Sequence, residues 1–276
     1  MGKKCICCGS KNNKYIHSEK EYNYFECNKC GFIFSPTIEK QYFPKRKKLG
    51  QDEINFWKKW GERRKSFFLS QLKYIKKLKP HGKALDVGCG TGAFLDILKE
   101  SYDAYGIEPN IILCNTGNRL YNNRIKNCLL YDVKDKYDLV YLMDVVEHMP
   151  QPDIELINLK KVMKSDAIVV IRVPNASYVK FKKFFFDLLG LTKKFKHGCF
   201  GAPGHLYHFS KKSLFSLLEN NGFKIIKYCP TRSNIEDRLF ARIISSGLYY
   251  FGLVLYFVSF GKINIVIDHL VYAKEA

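Results

Sequence analysis

The amino-acid sequence predicts an α/β fold: a mainly parallel sheet with helices on both faces, preceded by a small cysteine-built module. Three observations carry that prediction. Between residues 83 and 173, apolar runs of strand length alternate with segments of helical periodicity. One strand-to-helix junction is a cluster of glycines, Gly88, Gly90 and Gly92. The first 36 residues hold two Cys-x-x-Cys pairs with 18 residues between them.

A chain of 276 residues is long enough for a full core, and an apolar fraction of 46% excludes a disordered chain. The ten cysteines accompany an opening stretch, Met1 to Ile6, without a signal-peptide pattern. They therefore fit metal ligands and free thiols in a reducing compartment better than a disulfide framework, and the expected place is the cytoplasm. Lys and Arg outnumber Asp and Glu by 46 to 26, a net charge of +20. Such an excess favours anionic partners: nucleic acid, an anionic membrane surface or phosphorylated substrates. The lysines are scattered along the chain, which weakens the nucleic-acid reading.

Taken in order, residues 1–36 read as a zinc ribbon. Cys5 with Cys8, and Cys27 with Cys30, form turns that each aim two thiolates at one point, and Gly9 and Gly31 relax the turns. Cys7 is a spare thiol that replaces Cys8 if the first turn is drawn differently. Tyr22–Phe25 and Phe32–Phe34 supply short strands. Residues 37–80 form a basic, aromatic connector. Within it Phe67, Phe68, Leu72, Ile75 and Leu78 recur at helical spacing until Pro80. Upstream, Trp57 and Trp60 stand among Lys58, Lys59, Arg63 and Arg64. The segment reads as a helix docked on the sheet, or as a lid.

Residues 81–276 form the main domain. Strands are expected over 83–87, 104–108, 125–130, 137–143 and 167–173, with helices over 91–100, 110–121 and 153–163. The segment 181–200 is long enough to cover a site. A helix over 213–218, capped by Ser210, and a strand over 222–227 follow. Residues 243–261 carry no charge over 19 positions, a length that permits a membrane span. Tyrosines, serines and glycines dilute the run. The expectation is a packed or membrane-surface helix anchored by Arg238, Arg242 and Lys262, then a closing strand over 263–272.

In sheets of this kind ligands sit at the carboxyl ends of the strands, where the glycine turn, Glu108 and Asp144 all fall. Glycines let the backbone approach a ligand at the positive end of the following helix. Gly88-x-Gly90-x-x-Ala93 fits a loose dinucleotide pattern, but Asp86 would repel a pyrophosphate. It suits a ligand that carries an ammonium and a sulfonium, S-adenosylmethionine. Glu108, 20 residues after Gly88, is placed to take ribose hydroxyls.

Asp86-x-Gly88-x-Gly90-x-Gly92 resembles the first motif of the class I S-adenosylmethionine-dependent methyltransferases. That resemblance implies a Rossmann-like seven-stranded sheet. It implies cofactor contacts from Asp86, Gly88, Cys89, Gly90, Gly92, Glu108 and Asp144, with the adenine contact near Cys128 to Asp132. Cys5 to Ser10 and Cys27 to Pro36 are similar to the amino-terminal ribbon of some bacterial sugar and natural-product methyltransferases. There the ribbon frames the acceptor site, and the similarity implies a structural Zn2+.

After the fourth main-domain strand comes Asp144-Val-Val-Glu147-His148-Met-Pro, which resembles the Glu-His pair and proline turn of ubiquinone-type methyltransferases. An acceptor hydroxyl must lose its proton, and His is matched to that task near neutral pH. His148 is the first candidate for the base, with Glu147 orienting it; alternatively the pair only caps the next helix. In some quinone-type relatives these positions are proposed metal ligands, which implies Asp144, Glu147 and His148 as a third option. The order His205-Leu-x-His208-Phe-Ser210 points His205 toward the acceptor and leaves His208 structural.

The expected activity is methyl transfer to a small molecule, a hydroxyl of a nucleotide-linked or lipid-linked sugar in surface-polysaccharide biosynthesis. Two alternatives stand beside it. A zinc-ribbon RNA methyltransferase is disfavoured because no Asn/Asp-Pro-Pro-aromatic loop follows the fourth strand. An inactive methyltransferase-fold binding protein is disfavoured by the intact glycine motif.

Overall fold

A computed structural model describes residues 4–19, 22–36, 50–122, 124–190, 200–201, 205, 207–232 and 239–276. The amino-terminal module contributes β1 (Asn13–Glu19), β2 (Tyr22–Cys27) and β3 (Ile33–Phe34). A 28-residue helix, α1 (Gln51–Leu78), leads into the main domain. There β4 (Lys83–Val87), α2 (Ala93–Leu98), β5 (Asp103–Ile107), α3 (Ile111–Tyr121), β6 (Ile125–Lys126), β7 (Tyr137–Met143), α4 (Pro152–Lys161) and β8 (Met163–Pro174) follow one another. The chain closes with α5 (Ala176–Leu188), β9 (Tyr207–His208), α6 (Lys211–Asn220), β10 (Phe223–Thr231), α7 (Leu239–Val258) and β11 (Asp268–Glu275).

Seven strands build the main sheet in the order β10-β11-β8-β7-β4-β5-β6. The five from β4 to β8 are mutually parallel, and β11 inserts antiparallel between β8 and β10. Progression from β4 runs outward through β5 and β6 on one side and through β7 and β8 on the other. The crevice where the order reverses, at the carboxyl ends of β4 and β7, is where such sheets bind ligands.

Strand alternation sorts the core onto two faces. Leu85, Val87, Val140 and Leu142 pack with α4 and α6, while Ala84, Leu139, Tyr141 and Met143 pack with α1 and α2. The carboxyl half of α1 docks Phe67, Phe68, Leu72 and Ile75 into that second layer. Its approach to α2 is close: a Cβ on Gly61 would lie 2.6 Å from the Ala93 Cβ. Truncating a fully buried leucine such as Leu85 to alanine would cost about 2–5 kcal/mol here.

Several elements differ from the sequence expectation, and four of the differences have a local physical reason. The strand expected over 125–130 pairs only at Ile125 and Lys126. Asn127 then turns its amide onto the Glu108 and Pro109 carbonyls, and Asp132 accepts the Leu129 N–H at 3.0 Å to curl Leu130–Asp132 into a 3-10 turn. The closing strand begins at Asp268 rather than 263, because Ser259 and Asn264 bind backbone N–H groups of residues 263 and 266 ahead of it. β8 begins at Met163, where the chain already pairs with Tyr137. β1 was not expected at all; most of its residues are half-buried or exposed, so it lacks the alternation that marks a strand.

The amino-terminal sheet has the order β1-β2-β3-β9. Its fourth strand thus comes from the main domain, with Ile33 opposite His208 and Phe34 opposite Tyr207. The next residue, Phe209, bridges to Asn175 just past the end of β8. Ser210 donates to the Cys30 carbonyl, and Asn220 donates to the Cys7 carbonyl at 2.9 Å. Among the described residues no helix is long and apolar enough to cross a membrane. Residues 191–199 of the expected covering segment, residues 37–49 of the connector and Arg238 lie outside the described residues.

Candidate active site

A cavity of about 730 Å³ opens at the carboxyl ends of β4, β7 and β8, within the range of about 300–1,000 Å³ typical of small-molecule sites. The glycine loop, Trp57, Trp60 and Arg64 of α1, the 144–148 segment and His205 all face it. A second cavity, about 310 Å³, shares Gly88, Glu108, Asp144 and His148 with the first and continues to Cys128, Leu129 and Leu130. The stretch expected to meet an adenine therefore lines a cavity that shares wall residues with the glycine-loop cavity.

On the glycine side, Val87 ends β4 and the chain turns through Gly88, Gly90 and Gly92 at φ of +65°, +58° and +78°. L-residues resist this left-handed region by about 1–2 kcal/mol each. At Gly88 space is also closed, since a Cβ would meet a Val145 methyl at 2.8 Å. The Gly88 and Cys89 N–H groups both donate to the Ile107 carbonyl, at 2.8 and 3.1 Å. Gly90 donates its N–H to one Glu108 oxygen at 2.9 Å, and Asn110 donates to the other at 2.8 Å. A carboxylate has further lone pairs, so Glu108 can still accept from ligand hydroxyls. Burial raises its carboxyl above the ordinary range despite those two N–H groups.

Asp86 is only 3% exposed and lies behind the glycine loop rather than in either cavity wall. Burial, with Glu108 beside it, pushes its carboxyl up to about 8. A buried carboxyl of this kind is poised to ionise when a cation arrives nearby. Cys89 does line the cavity, and burial keeps its thiol protonated.

On the opposite wall, Asp144 adopts φ +60°, a left-handed conformation in a non-glycine residue. Two guanidiniums pin it there. Arg64 donates to one oxygen at 2.6 Å, Arg172 donates to the other, and Arg172 also holds Asp268 at 2.7 Å. Burial alone would raise the Asp144 carboxyl, but Arg172 and Arg64 hold it well below the usual carboxylate range. Asp144 is thus committed to protein cations.

The next turn, Val146–His148, presents Glu147 and His148. Glu147 is fully buried, and neither carboxylate oxygen has a hydrogen-bond partner among the described residues. Burial and the nearby Asp144 charge push its carboxyl well up, so without a cation it is a neutral acid. The His148 and His205 rings stand 5.1 Å apart, and the His208 ring stands edge-on to His205 beyond, at 5.8 Å. Burial, with His148 beside it, lowers His205 to about 4, so that its ring is neutral at pH 7. Ligand atoms of Glu147, His148 and His205 all lie within 4.8 Å of one another. The metal set implied by sequence, Asp144 with Glu147 and His148, is corrected in one member: Asp144 is taken by two arginines, and His205 stands in its place.

A family model described as a methyltransferase domain matches residues 60–228, more than half of the chain. The chain belongs to this methyltransferase family. Its fold is that of the S-adenosylmethionine-dependent methyltransferases. A solved methyltransferase of that kind from Archaeoglobus fulgidus is 20% identical, with 81% of this chain and 99% of that one covered at a TM-score of 0.53. A TehB-like methyltransferase from Corynebacterium glutamicum is 12% identical, covering 82% and 100% at 0.50. A possible histamine N-methyltransferase from Thermotoga maritima is 14% identical, covering 81% and 96% at 0.50. Comparison with curated protein sequences returns no match.

The methyltransferase carries its second cluster in the amino-terminal sheet. The thiol sulfurs of Cys5, Cys8, Cys27 and Cys30 lie within 4.8 Å of one another, with Cys5–Cys30 at 3.6 Å and Cys8–Cys27 at 3.5 Å. Four thiolates around a zinc ion at about 2.3 Å stand about 3.8 Å apart, so the cluster is compatible with a zinc ribbon. The two turns repeat each other: Gly9 donates to the Cys5 carbonyl and Gly31 to the Cys27 carbonyl, both at 2.8 Å. Cys8, not Cys7, completes the set; Cys7 is packed in the core and burial keeps it a thiol.

Arg64, Arg172 and Asp268 are site residues that the sequence reading missed. Arg172 carried a signal: it is the one charged residue inside the apolar run Ala167–Val173, and a charge in a buried strand needs a partner.

Proposed function

We propose that the methyltransferase moves a methyl group from S-adenosylmethionine to a hydroxyl of a small acceptor, a nucleotide-linked or lipid-linked sugar of surface-polysaccharide or related biosynthesis. One observation carries this reading. The glycine loop with Glu108, and the Glu147–His148–His205 group, are walls of one cavity. A cofactor side and a proton-accepting side therefore face the same space.

When bound, S-adenosylmethionine supplies an electrophilic methyl on a sulfonium. Glu108 would take ribose hydroxyls, and the backbone of Gly88 to Gly92 lies open to close approach. The buried Asp86 would supply negative charge behind that loop. His148, in the wall beside His205, would accept the proton as the acceptor oxygen loses it. Trp57 and Trp60, with Arg64 stacked on Trp60 at 3.9 Å, fix the wall that orients the acceptor. The four-cysteine cluster would hold Zn2+ as a structural ion.

A second reading of the acceptor side rests on the buried Glu147 carboxyl, which has no hydrogen-bond partner among the described residues, and its two histidine neighbours. Such a set of one carboxylate and two imidazoles fits a divalent cation, which would polarise an acceptor oxygen.

The test is calorimetric titration of S-adenosylmethionine and S-adenosylhomocysteine into zinc-loaded protein, with Asp86→Ala as the control. Micromolar binding lost in the variant supports the cofactor assignment and licenses a screen of sugar acceptors. Absence of binding to both ligands sinks the proposal.

A further inference from the structure

The outward side of α7 inverts the usual pattern of a surface helix. Its inner side packs at Gly252, where a Cβ would meet Val266 at 3.3 Å. The outer side carries Ile243, Tyr250, Phe251, Val254, Phe257 and Val258, all exposed and spaced along one helical stripe. Phe260, just past the helix, is 95% exposed. No charged residue falls between Arg242 and Lys262. An apolar patch of this extent marks a surface that something covers.

Charge and position say what covers it. Arg242 and Lys262 stand exposed at the two ends of the stripe, on a chain of net charge +20. A cation-rimmed face on a strongly basic chain opposes a second copy of itself and attracts an anionic surface. The side of the helix opposite the stripe, the one that carries Gly252, reaches the cavity. Ser245 of α7 lines the cavity mouth beside Arg232, and Arg232 donates to the Ser245 and Ser246 hydroxyls at 3.3 and 3.1 Å. Lys182 of α5 lines the same mouth. Among the described residues neither Arg232 nor Lys182 has a carboxylate partner. Two cations without a carboxylate partner among the described residues, at a cavity entrance, suit a phosphate.

We propose that α7 seats this methyltransferase on an anionic phospholipid surface, its stripe between the headgroups and its opposite side toward the cavity. Arg232 and Lys182, on the cavity side of the helix, would take the phosphate of a lipid-linked acceptor that reaches over the helix from the membrane. The helix lies in the interface and does not span it, in keeping with its opposite side meeting Val266 and Tyr228. The acceptor class named here rests on the methyl-transfer reading; the seating of α7 does not.

The experiment is co-sedimentation of the full chain with vesicles of phosphatidylcholine alone and of phosphatidylcholine mixed with phosphatidylglycerol, with S-adenosylmethionine binding measured on the same samples. Expected is partition onto the mixed vesicles at least about tenfold stronger than onto neutral ones, weakened by salt. The double variant Val254→Asp with Phe257→Asp should lose vesicle binding and keep S-adenosylmethionine binding, which shows that it is folded. Arg242→Gln should weaken vesicle binding by roughly fivefold. Equal partition of parent and double variant overturns the proposal. So does a soluble dimer, dissociated by the same substitutions, that binds no vesicles; the stripe would then be a contact between copies. Vesicle binding without S-adenosylmethionine binding would overturn the methyl-transfer reading alone.

Discussion

The Arg64 guanidinium meets the Asp144 carboxylate at 2.6 Å, which ties α1 to the carboxyl end of β7. Asp144 holds its left-handed backbone only inside this clamp, and Arg172 closes it from the other side while also holding Asp268. Arg172→Met would leave Asp268 without its ion-pair partner and Asp144 with Arg64 alone. Breaking a buried pair in this way costs about 3–5 kcal/mol, to be read by urea unfolding at pH 7. Asp144 titrates below its unfolded range in the folded chain. Its stabilisation is therefore complete above the unfolded pKa of about 3.9 and is lost as pH falls below it. The parent and variant curves should converge there; a constant difference down to pH 2 would contradict the clamp.

Asp86 works in the opposite sense. With its folded carboxyl raised to about 8, the ligand-free fold keeps a proton that the unfolded chain has released. Stability should therefore fall as pH rises from about 4 to about 8, then level off. Asp86→Asn should remove that slope, stabilise the ligand-free protein at pH 8 by a few kcal/mol at most, about the scale of a buried charge, and weaken S-adenosylmethionine binding at least tenfold, about 1.4 kcal/mol. Thermal melts across pH and calorimetry check the two halves. A variant that is destabilised and still binds would reject both.

Gly88→Ala combines two penalties: a positive φ worth about 1–2 kcal/mol, and a Cβ 2.8 Å from a Val145 methyl. In a double-mutant cycle, Val145→Ala should return the steric part and leave the conformational part, a coupling of about 0.5–3 kcal/mol. Simple additivity would show that the loop relaxes away from Val145.

Glu147→Gln separates the two readings of the acceptor wall. If Glu147 is a neutral buried acid, the amide is nearly isosteric, and stability should change by less than about 1 kcal/mol with no response to divalent cations. If it ligates a cation, the parent should show a cation-dependent rise in melting temperature that the variant lacks. His148→Ala should lower kcat by about 10²–10⁴-fold with cofactor affinity unchanged; a KM effect alone would make His148 a binding residue.

Cys27→Ser, or exposure to a zinc chelator, should abolish methyl transfer while S-adenosylmethionine still binds. The glycine loop is supported by β4 and β5, whereas His208 reaches the cavity on a strand paired to β3. Loss of cofactor binding along with activity would mean that the whole fold depends on the cluster.

Much of this architecture was legible from local chemistry. The bounds of β4 and β7 coincide with their apolar runs, because both strands are buried along most of their length. The glycine turn and the paired cysteines announce themselves by residue type. What stayed hidden depends on partners distant in sequence. Arg172 and Asp268 are 96 positions apart, and β11 brings them together only once it has inserted beside β8. His205 replaces Asp144 beside Glu147 and His148 because α1 supplies Arg64 to the aspartate. β1 was invisible because its stability comes from pairing with β2, not from a buried face of its own.

The strand at Tyr207–His208 belongs to one sheet by hydrogen bonding and to the other unit by position in the chain. The ribbon is therefore not a cassette. A foreign ribbon grafted onto this enzyme would have to match a two-residue docking strand roughly 170 positions downstream, and a chain trimmed of its first 50 residues would leave that strand as a bare edge. The register of Ile33–Phe34 and that of Tyr207–His208 are therefore fixed by each other.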